Sequence, residues 1–421
     1  MLPLRSALYG AAMAPGRCRS PVPHAAIAIP ARNEAERLPA CLKALAAQRG
    51  IGGCPLGLEA MAVLVLVNNS SDETAQVARS LAAVLPFRLV VEEVTLPPAL
   101  AHAGGARRTA MDKAAELLGR TPASGAALLS TDADGRAAPN WLAANLAALA
   151  AGADAVAGAI EPDPAEAASL PAMLRVREAR EARYATLLDE MAALVDPDPD
   201  DPWPRHAAHS GASIALTLDA YRRVGGLPVV PVGEDRALFE ALIHAEMRVR
   251  HCPAARVIVS CRLQGRAAGG MADTLRRRLA EADSAPLDAR LEPALPALLR
   301  LRCRRALRRL RAGRPRPGDP VRLALALGLT PTSLSDIVGL PRFWQAWEQL
   351  QARAGLLRRR HLVRGGELEA ETRRAEAILY ALRGARAVLS PSRLPGRREA
   401  GPGGSIRSVL AVPAVRRAPP G

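Results

Sequence analysis

Within its first 135 residues the chain repeats one order three times: an apolar run, a polar cluster, an amphipathic helical pattern. Ala25–Ile29 ends in Pro30-Ala31-Arg32-Asn33-Glu34, and a helical pattern over Ala35–Gln48 follows with Leu38, Leu42 and Leu45 on one face. Met61–Val67 stops at Asn68-Asn69-Ser70-Ser71-Asp72-Glu73-Thr74, after which Val77, Leu81 and Val84 fall on one side of a second helix. Phe87–Val94 leads into Ala103-Gly104-Gly105-Ala106-Arg107-Arg108 and a helix beginning near Thr109. Such alternation requires parallel strands joined by right-handed crossovers, hence a doubly wound α/β sheet. Ligands of these sheets bind beyond the carboxyl ends of the strands. Every polar cluster here falls at such an end.

The fourth strand, Leu128-Leu129-Ser130, breaks off into Thr131-Asp132-Ala133-Asp134-Gly135. Strand residues two apart point the same way, so Asp132 and Asp134 can face one spot. Two converging carboxylates repel unless a proton or a cation joins them. A hard divalent ion, shared with substrate phosphates, satisfies both; the other reading is a solvated Asp-Gly turn.

Taken in order, I-A-I-P-A-R-N-E, V-L-V-N-N-S-S-D-E-T, S-T-D-A-D-G and the later V-G-E-D-R-A-L resemble the motifs of family-2 glycosyltransferases with the GT-A fold. The likeness covers roughly residues 24–270. It implies a GT-A-type doubly wound mixed sheet, Rossmann-like in its first half, and transfer of a sugar from a nucleoside-diphosphate sugar. It implies that Pro30, Ala31, Arg32, Asn33 and Glu34 flank the nucleotide, with Asn68 where the family more often has an aspartate. Asp132 and Asp134 would hold Mn²⁺ or Mg²⁺ on the diphosphate. Asp235 would act as general base, with Glu234 bracing it or contacting the acceptor. Acidic residues at a helix start also cap free amides, which is the competing reading of this pair. Arg107 or Arg108 can approach the diphosphate, where a guanidinium fork suits phosphate oxygens; an exposed helix start is the alternative. Family members often carry a histidine as a further metal ligand, but His244 and His251 do not stand in its place.

A single displacement at the anomeric carbon, with a base on the acceptor hydroxyl and a cation on the leaving diphosphate, inverts that centre. The acceptor class (glycan, lipid-linked or small molecule) is open. A second functional reading is a catalytically silent nucleotide-sugar or acceptor binder acting as a partner subunit.

Further along, Asp154–Ile160 reads as a strand and Pro164–Leu194 as one long helical pattern. Asp196-Pro197-Asp198-Pro199-Asp200-Asp201-Pro202 ends that helix, since alternating prolines forbid its continuation. Its carboxylates have no cysteine or histidine among them and read as a solvated loop. His209–Leu216 is a strand of small residues, and Arg256–Val259 another, followed by Arg262 and Arg266 as candidate diphosphate clamps.

Charge separates the two parts of the chain. Residues 281–421 carry 27 arginines against 12 acidic residues, whereas residues 1–280 carry 30 basic against 29 acidic. Only Lys43 and Lys113 are lysines, an arginine bias that with abundant Ala and Pro reflects GC-rich coding; aromatics are 3%. Nucleic acid is therefore not expected as a partner. The expected division is a disordered 1–23, a GT-A domain over 24–285, a helical Arg-rich extension over 286–390 and a disordered 391–421. Within the extension, Leu291–Arg311 and Pro341–Arg360 read as helices whose basic faces either pack on the main domain or lie on an anionic membrane surface. Six scattered cysteines without a C-x-x-C pair, and no apolar run of spanning length, fit a cytoplasmic enzyme, peripheral at most at the inner membrane face.

Overall fold

A computed structural model describes residues 20–21, 24–119, 125–265, 269–281, 284–315, 317–358 and 362–389. Arg266, residues 1–19 and 22–23, and the tail from residue 390 lie outside the described residues.

Eight strands form the central sheet: β1 Ala25–Ala31, β2 Met61–Asn68, β3 Arg88–Val94, β4 Ala127–Ser130, β5 Arg136–Ala137, β6 Ala155–Pro162, β7 Ile214–Thr217 and β8 Val249–Val259. Their spatial order is β3-β2-β1-β4-β7-β6-β8-β5. β3, β2, β1 and β4 run parallel, β7 runs antiparallel between β4 and β6, and β5 pairs antiparallel with β8. The chain moves outward from β1 to β3, then returns to the other side of β1 as β4. A topological switch point therefore lies between the ends of β1 and β4, where a ligand crevice opens in such sheets.

Helices α1 Leu38–Ala46, α2 Thr74–Leu81 and α4 Trp141–Ala150 cover one face, burying Leu38, Leu42, Leu45 and Trp141 against Ile27, Val63, Leu129 and Val156. On the other face α3 Ala103–Leu117, α7 Leu218–Arg223 and α8 Glu234–His244 bury Met111, Leu238 and Phe239 against Leu64, Leu128 and Ile214. Each such side chain adds roughly 1.5–3 kcal/mol of apolar burial.

Three helices depart from the expected pattern. α3 starts at Ala103, not near Thr109, so Gly104 and Gly105 lie in its first turn. A Cβ at these glycines would stand 2.0 Å from the Val230 carbonyl oxygen and 2.3 Å from that of Leu100; what reads as a loop is a helix start under close backbone approach. α2 buries Thr74, Ala75 and Ala78, while Val84, 76% exposed, has passed into a 3₁₀ turn. The pattern over 164–194 is two helices, α5 Pro164–Ser169 and α6 Ala172–Val195, because Pro171 cannot continue the first.

Beyond α9 Met271–Ala280, the extension comprises α10 Ala294–Arg311, α11 Asp319–Leu327, α12 Pro331–Val338, α13 Phe343–Arg353, α14 Gly355–Arg358 and α15 Leu368–Leu389. α6 is shared between the two parts. Tyr184 packs with Leu291 and Ala375, and Met191 and Val195 with Leu298 and Leu379. The Tyr184 hydroxyl donates to the Glu292 carbonyl at 2.7 Å. α11 and α12, bent by 109°, bury Leu323, Leu327, Leu334 and Ile337 beside Trp347. Among the described residues no single helix is long and apolar enough to cross a membrane.

The arginines of α10 turn to partners within the protein. Arg304 and Arg308 donate through Nε to Asp196 Oδ2 at 2.5 and 3.2 Å, Arg305 donates to the Val195 carbonyl, and Arg309 donates to Asp319. This corrects the reading of 196–202 as a solvated loop at two positions: Asp196 is 1% exposed and Asp201 4%, while Pro197, Pro199, Asp200 and Pro202 are exposed. Buried carboxylates need partners, and here all but Arg205, four residues from Asp201, come from positions too distant in sequence to be anticipated.

Truncation after residue 285 would uncover the buried side of α6, with Tyr184, Met191 and Val195, and leave Asp196 without its arginines. The expected result is loss of the soluble monomer by size-exclusion chromatography. A soluble truncated chain melting within a few degrees of the full chain would mean that α6 needs no cover.

Candidate active site

The loops after β1 and β2 are stitched together. Asn33 takes a left-handed φ of 55° and accepts from the Ser71 amide at 2.8 Å, while its own amide donates to Ser70 Oγ at 3.0 Å. The Glu34 amide donates to Thr74 Oγ1 at 2.9 Å and the Ala35 amide to Asp72 Oδ2 at 3.1 Å. Asp72 also caps Thr74, and these hydrogen bonds, against a burial cost, hold its carboxyl below the usual range. Pro30 and Ala31 complete β1, Arg32 is exposed in the loop, and Asn68 is buried as the last residue of β2. The residues expected around a nucleotide thus line one edge of the switch point.

Arg107 stands at the centre. Its guanidinium donates from Nη2 to Asp132 Oδ1 at 2.6 Å, from Nε to Glu234 Oε1 at 3.1 Å, and from Nη1 to Ser130 Oγ at 2.9 Å and the Gly211 carbonyl at 2.8 Å. Burial works against its charge, but Asp132 and Glu234 outweigh this and raise its pKa. Gly211 is required here, since a Cβ would lie 2.5 Å from Nη2. One cation from α3 therefore ties the end of β4 to the start of α8.

A second guanidinium bridges the next pair. Arg262 donates to both oxygens of buried Glu34, at 2.9 and 2.5 Å, and lies 3.0 Å from Asp134 Oδ2. Burial and the neighbouring Asp132 push Asp134 up to about 6, against the pull of Arg262. Beneath the pair, the Cys41 thiol touches the Asp132 carbonyl at 3.4 Å; burial and the two aspartates raise its pKa and keep it a thiol. Asp235 accepts from the Gly211 amide at 2.9 Å and from the Arg236 amide at 2.7 Å. Burial and Glu234 raise its pKa.

Arg108 is not part of this cluster. It donates to Asp112 and, at 2.8 Å, to the Leu227 carbonyl, and so fastens α3 to the segment after α7. A network that no sequence motif announces supports Arg262 instead: Arg37 donates to Glu166 at 2.5 Å, and Glu166 accepts from Ser260 Oγ and the Cys261 amide. No spacing in the chain signals it, because Arg37, Glu166 and Ser260 belong to three separate stretches.

The donor set can be tested against a divalent ion. Asp132 and Asp134 offer carboxylate oxygens of the kind hard cations take, and burial and the nearby Asp132 make the charged form of Asp134 costly without a cation beside it. Among the described residues no group of three or more His, Cys, Asp or Glu is gathered to hold a metal. An ion held by this pair would take its other ligands from outside these side chains.

The sequence profile of Glycosyl transferase family 2 matches residues 26–192. No curated protein matches the chain in sequence. Solved structures similar to it include the mannosyltransferase PcManGT from Pyrobaculum calidifontis in complex with GDP-Man and Mn²⁺, at 17% identity, covering 88% of this chain and 82% of that one with a TM-score of 0.36. S. aureus TarS 1-349 in complex with UDP-GlcNAc is 14% identical, covering 86% of this chain and 92% of that one at 0.42. Glucosyl-3-phosphoglycerate synthase from Mycobacterium tuberculosis, in complex with Mn²⁺, UDP-glucose and phosphoglyceric acid, is 15% identical, covering 63% and 83% at 0.34. That match runs from β1 into α6 and takes in the Asp132-Ala133-Asp134 loop, so this part of the chain is similar to glycosyl transferase family 2.

Proposed function

We propose that this chain transfers a sugar from a nucleoside-diphosphate sugar to an acceptor hydroxyl, with a divalent cation (Mn²⁺ or Mg²⁺) and with inversion. The observation that carries the reading is the Arg107 guanidinium, which joins Asp132 on one side and Glu234, next to Asp235, on the other. An acidic pair suited to a leaving diphosphate and an acid suited to an acceptor proton thereby share one cluster at the switch point.

Asp134 and Asp132 would hold the ion, which when bound supplies positive charge to the departing diphosphate. Arg262, held by Glu34, presents a second positive charge to the same region. Asn33, Glu34 and Asn68 flank the nucleoside. Asp235, its basicity raised by burial and by Glu234, takes the acceptor proton as the hydroxyl attacks. Glu234, paired with Arg107, braces the start of α8.

Asp134→Asn is expected to weaken Mn²⁺-dependent binding of UDP or GDP by at least ~10–100-fold, the range seen when a metal's protein support is removed. Titration calorimetry with and without Mn²⁺ measures it. In the unchanged protein that affinity should rise as pH climbs through about 6, because Asp134 must lose its proton to bind a cation. Equal Mn²⁺-dependent affinity in both proteins would remove the metal from the proposal.

A further inference from the structure

Outside the cluster just described, the molecule buries a chain of titratable side chains that the transfer chemistry does not use. Asp201, in the loop after α6, accepts at Oδ1 from Arg250 and the His251 amide, and at Oδ2 from Arg205 and His251 Nδ1, all at 2.8–2.9 Å. Against the cost of burial, His251 and Arg205 hold this carboxyl well below the usual range, so it is an acceptor only. His251 therefore presents an Nδ1 proton to this carboxylate, which fixes the orientation of its ring and points Nε2 away from Asp201. His209 Nε2 lies 3.0 Å from that atom. Burial, then His251 and Arg290, push the pKa of His209 down to about 3, so its ring is neutral, and the two Nε2 atoms share one proton across this contact.

His209 is held on its other side too. Its ring stacks on Phe239 of α8, with centroids 4.5 Å apart and planes at 16°. Two residues later comes Gly211, whose amide donates to Asp235 and whose carbonyl accepts from Arg107. The sheet explains why the chain reaches so far. Ser130, Ile214, Ala157 and His251 are successive partners across β4, β7, β6 and β8. Partners in register project from the same face, so His251 stands level with Ser130 and on the same side of the sheet.

We propose that Asp201, His251 and His209 form a hydrogen-bonded relay that positions residues 209–211, and through the Gly211 amide the carboxylate of Asp235. The inference rests on the reading of Asp235 as the general base. His209 and His251 are positioning residues and touch no reacting atom. The relay also explains why Asp201 is buried within the largely exposed Asp196–Pro202 segment. Its aspartates anchor the active-site wall at one end, through Asp201, and the extension at the other, through Asp196 and Arg304.

The test cuts the His209–His251 contact from either side. His209→Phe keeps the stack on Phe239 and removes the His209 nitrogen from the contact. His251→Asn keeps an amide where Nδ1 meets Asp201 and removes the His251 Nε2. His209→Gln restores an amide, able to donate or accept, near the Nε2 position. Hydrogen–deuterium exchange of the full chain should show amides of residues 208–214 exchanging about tenfold faster in the first two variants, with β1 and β4 unchanged, and near wild-type exchange in His209→Gln. Slow hydrolysis of UDP-glucose, UDP-GlcNAc and GDP-mannose with Mn²⁺ should fall ~10²-fold in kcat with donor KM within twofold, the scale expected for misplacing a catalytic group by about 1 Å, and recover in His209→Gln. Wild-type exchange at 208–214 in the cut variants, or equal loosening in His209→Gln, would overturn the relay. If the unchanged protein hydrolyses none of the donors, the proposed function is what fails, and the exchange experiment still decides the relay.

Discussion

Replacing Arg107 with methionine is expected to destabilise the folded chain by about 3–5 kcal/mol, the usual consequence of removing one partner from a buried ion pair. Arg107 and Glu234 have side chains only 6% and 9% exposed, and Asp132 shares the same guanidinium. Methionine fills much of the volume but leaves two carboxylates facing each other, with the Ser130 hydroxyl and Gly211 carbonyl short of a donor. Urea denaturation at neutral pH measures the loss. Adding Glu234→Gln should recover part of the stability, since the more deeply buried of the two charges is then gone. A single variant as stable as the original would mean that water reaches both carboxylates, and the central place given to Arg107 would fall.

Why this residue was only half legible in the sequence is instructive. The two motifs it joins are local: β4 ends in two acids one residue apart, and α8 begins with two more. Arg107 and Arg108 look equivalent in the chain, as adjacent arginines in a glycine-rich stretch. Helix geometry separates them. About 100° of rotation per residue sends Arg107 inward to Asp132 and Glu234, and Arg108 sideways to Asp112 and the Leu227 carbonyl. That difference depends on where α3 begins, and its first turn is disguised by Gly104 and Gly105.

The parallel core was easier to see, because strands buried on both faces read as unbroken apolar runs such as Met61–Val67. Partners supplied from afar were not. Nothing near Asp196 or Asp201 announces Arg304, Arg250 or His251, so these two acids of a proline-spaced segment read as solvated when they are buried. The same blindness hid the Arg37–Glu166–Ser260 support under Arg262. Local chemistry marks strand ends and helix starts; ion pairs that close the fold depend on the fold itself.

Asp235→Asn is expected to leave nucleotide binding within about twofold and to lower sugar transfer by ~10²–10⁴-fold, the range for loss of a general base. The site gives the substitution a second, smaller effect. Both Asp235 oxygens accept from backbone amides, Gly211 on one side and Arg236 on the other. An asparagine can satisfy one of them with its oxygen, but then turns its amide hydrogens toward the other. That mismatch at a helix start costs roughly 1 kcal/mol, so the variant should melt slightly lower while its rate collapses. The two consequences separate the readings of this residue. A pure cap would lose that stability and keep its chemistry; a base would lose far more rate than stability. Donor affinity by calorimetry, melting temperature and product formation, measured on one preparation, distinguish them. If the variant transfers sugar at the original rate, Asp235 is a cap, and the proton of the acceptor leaves by another route.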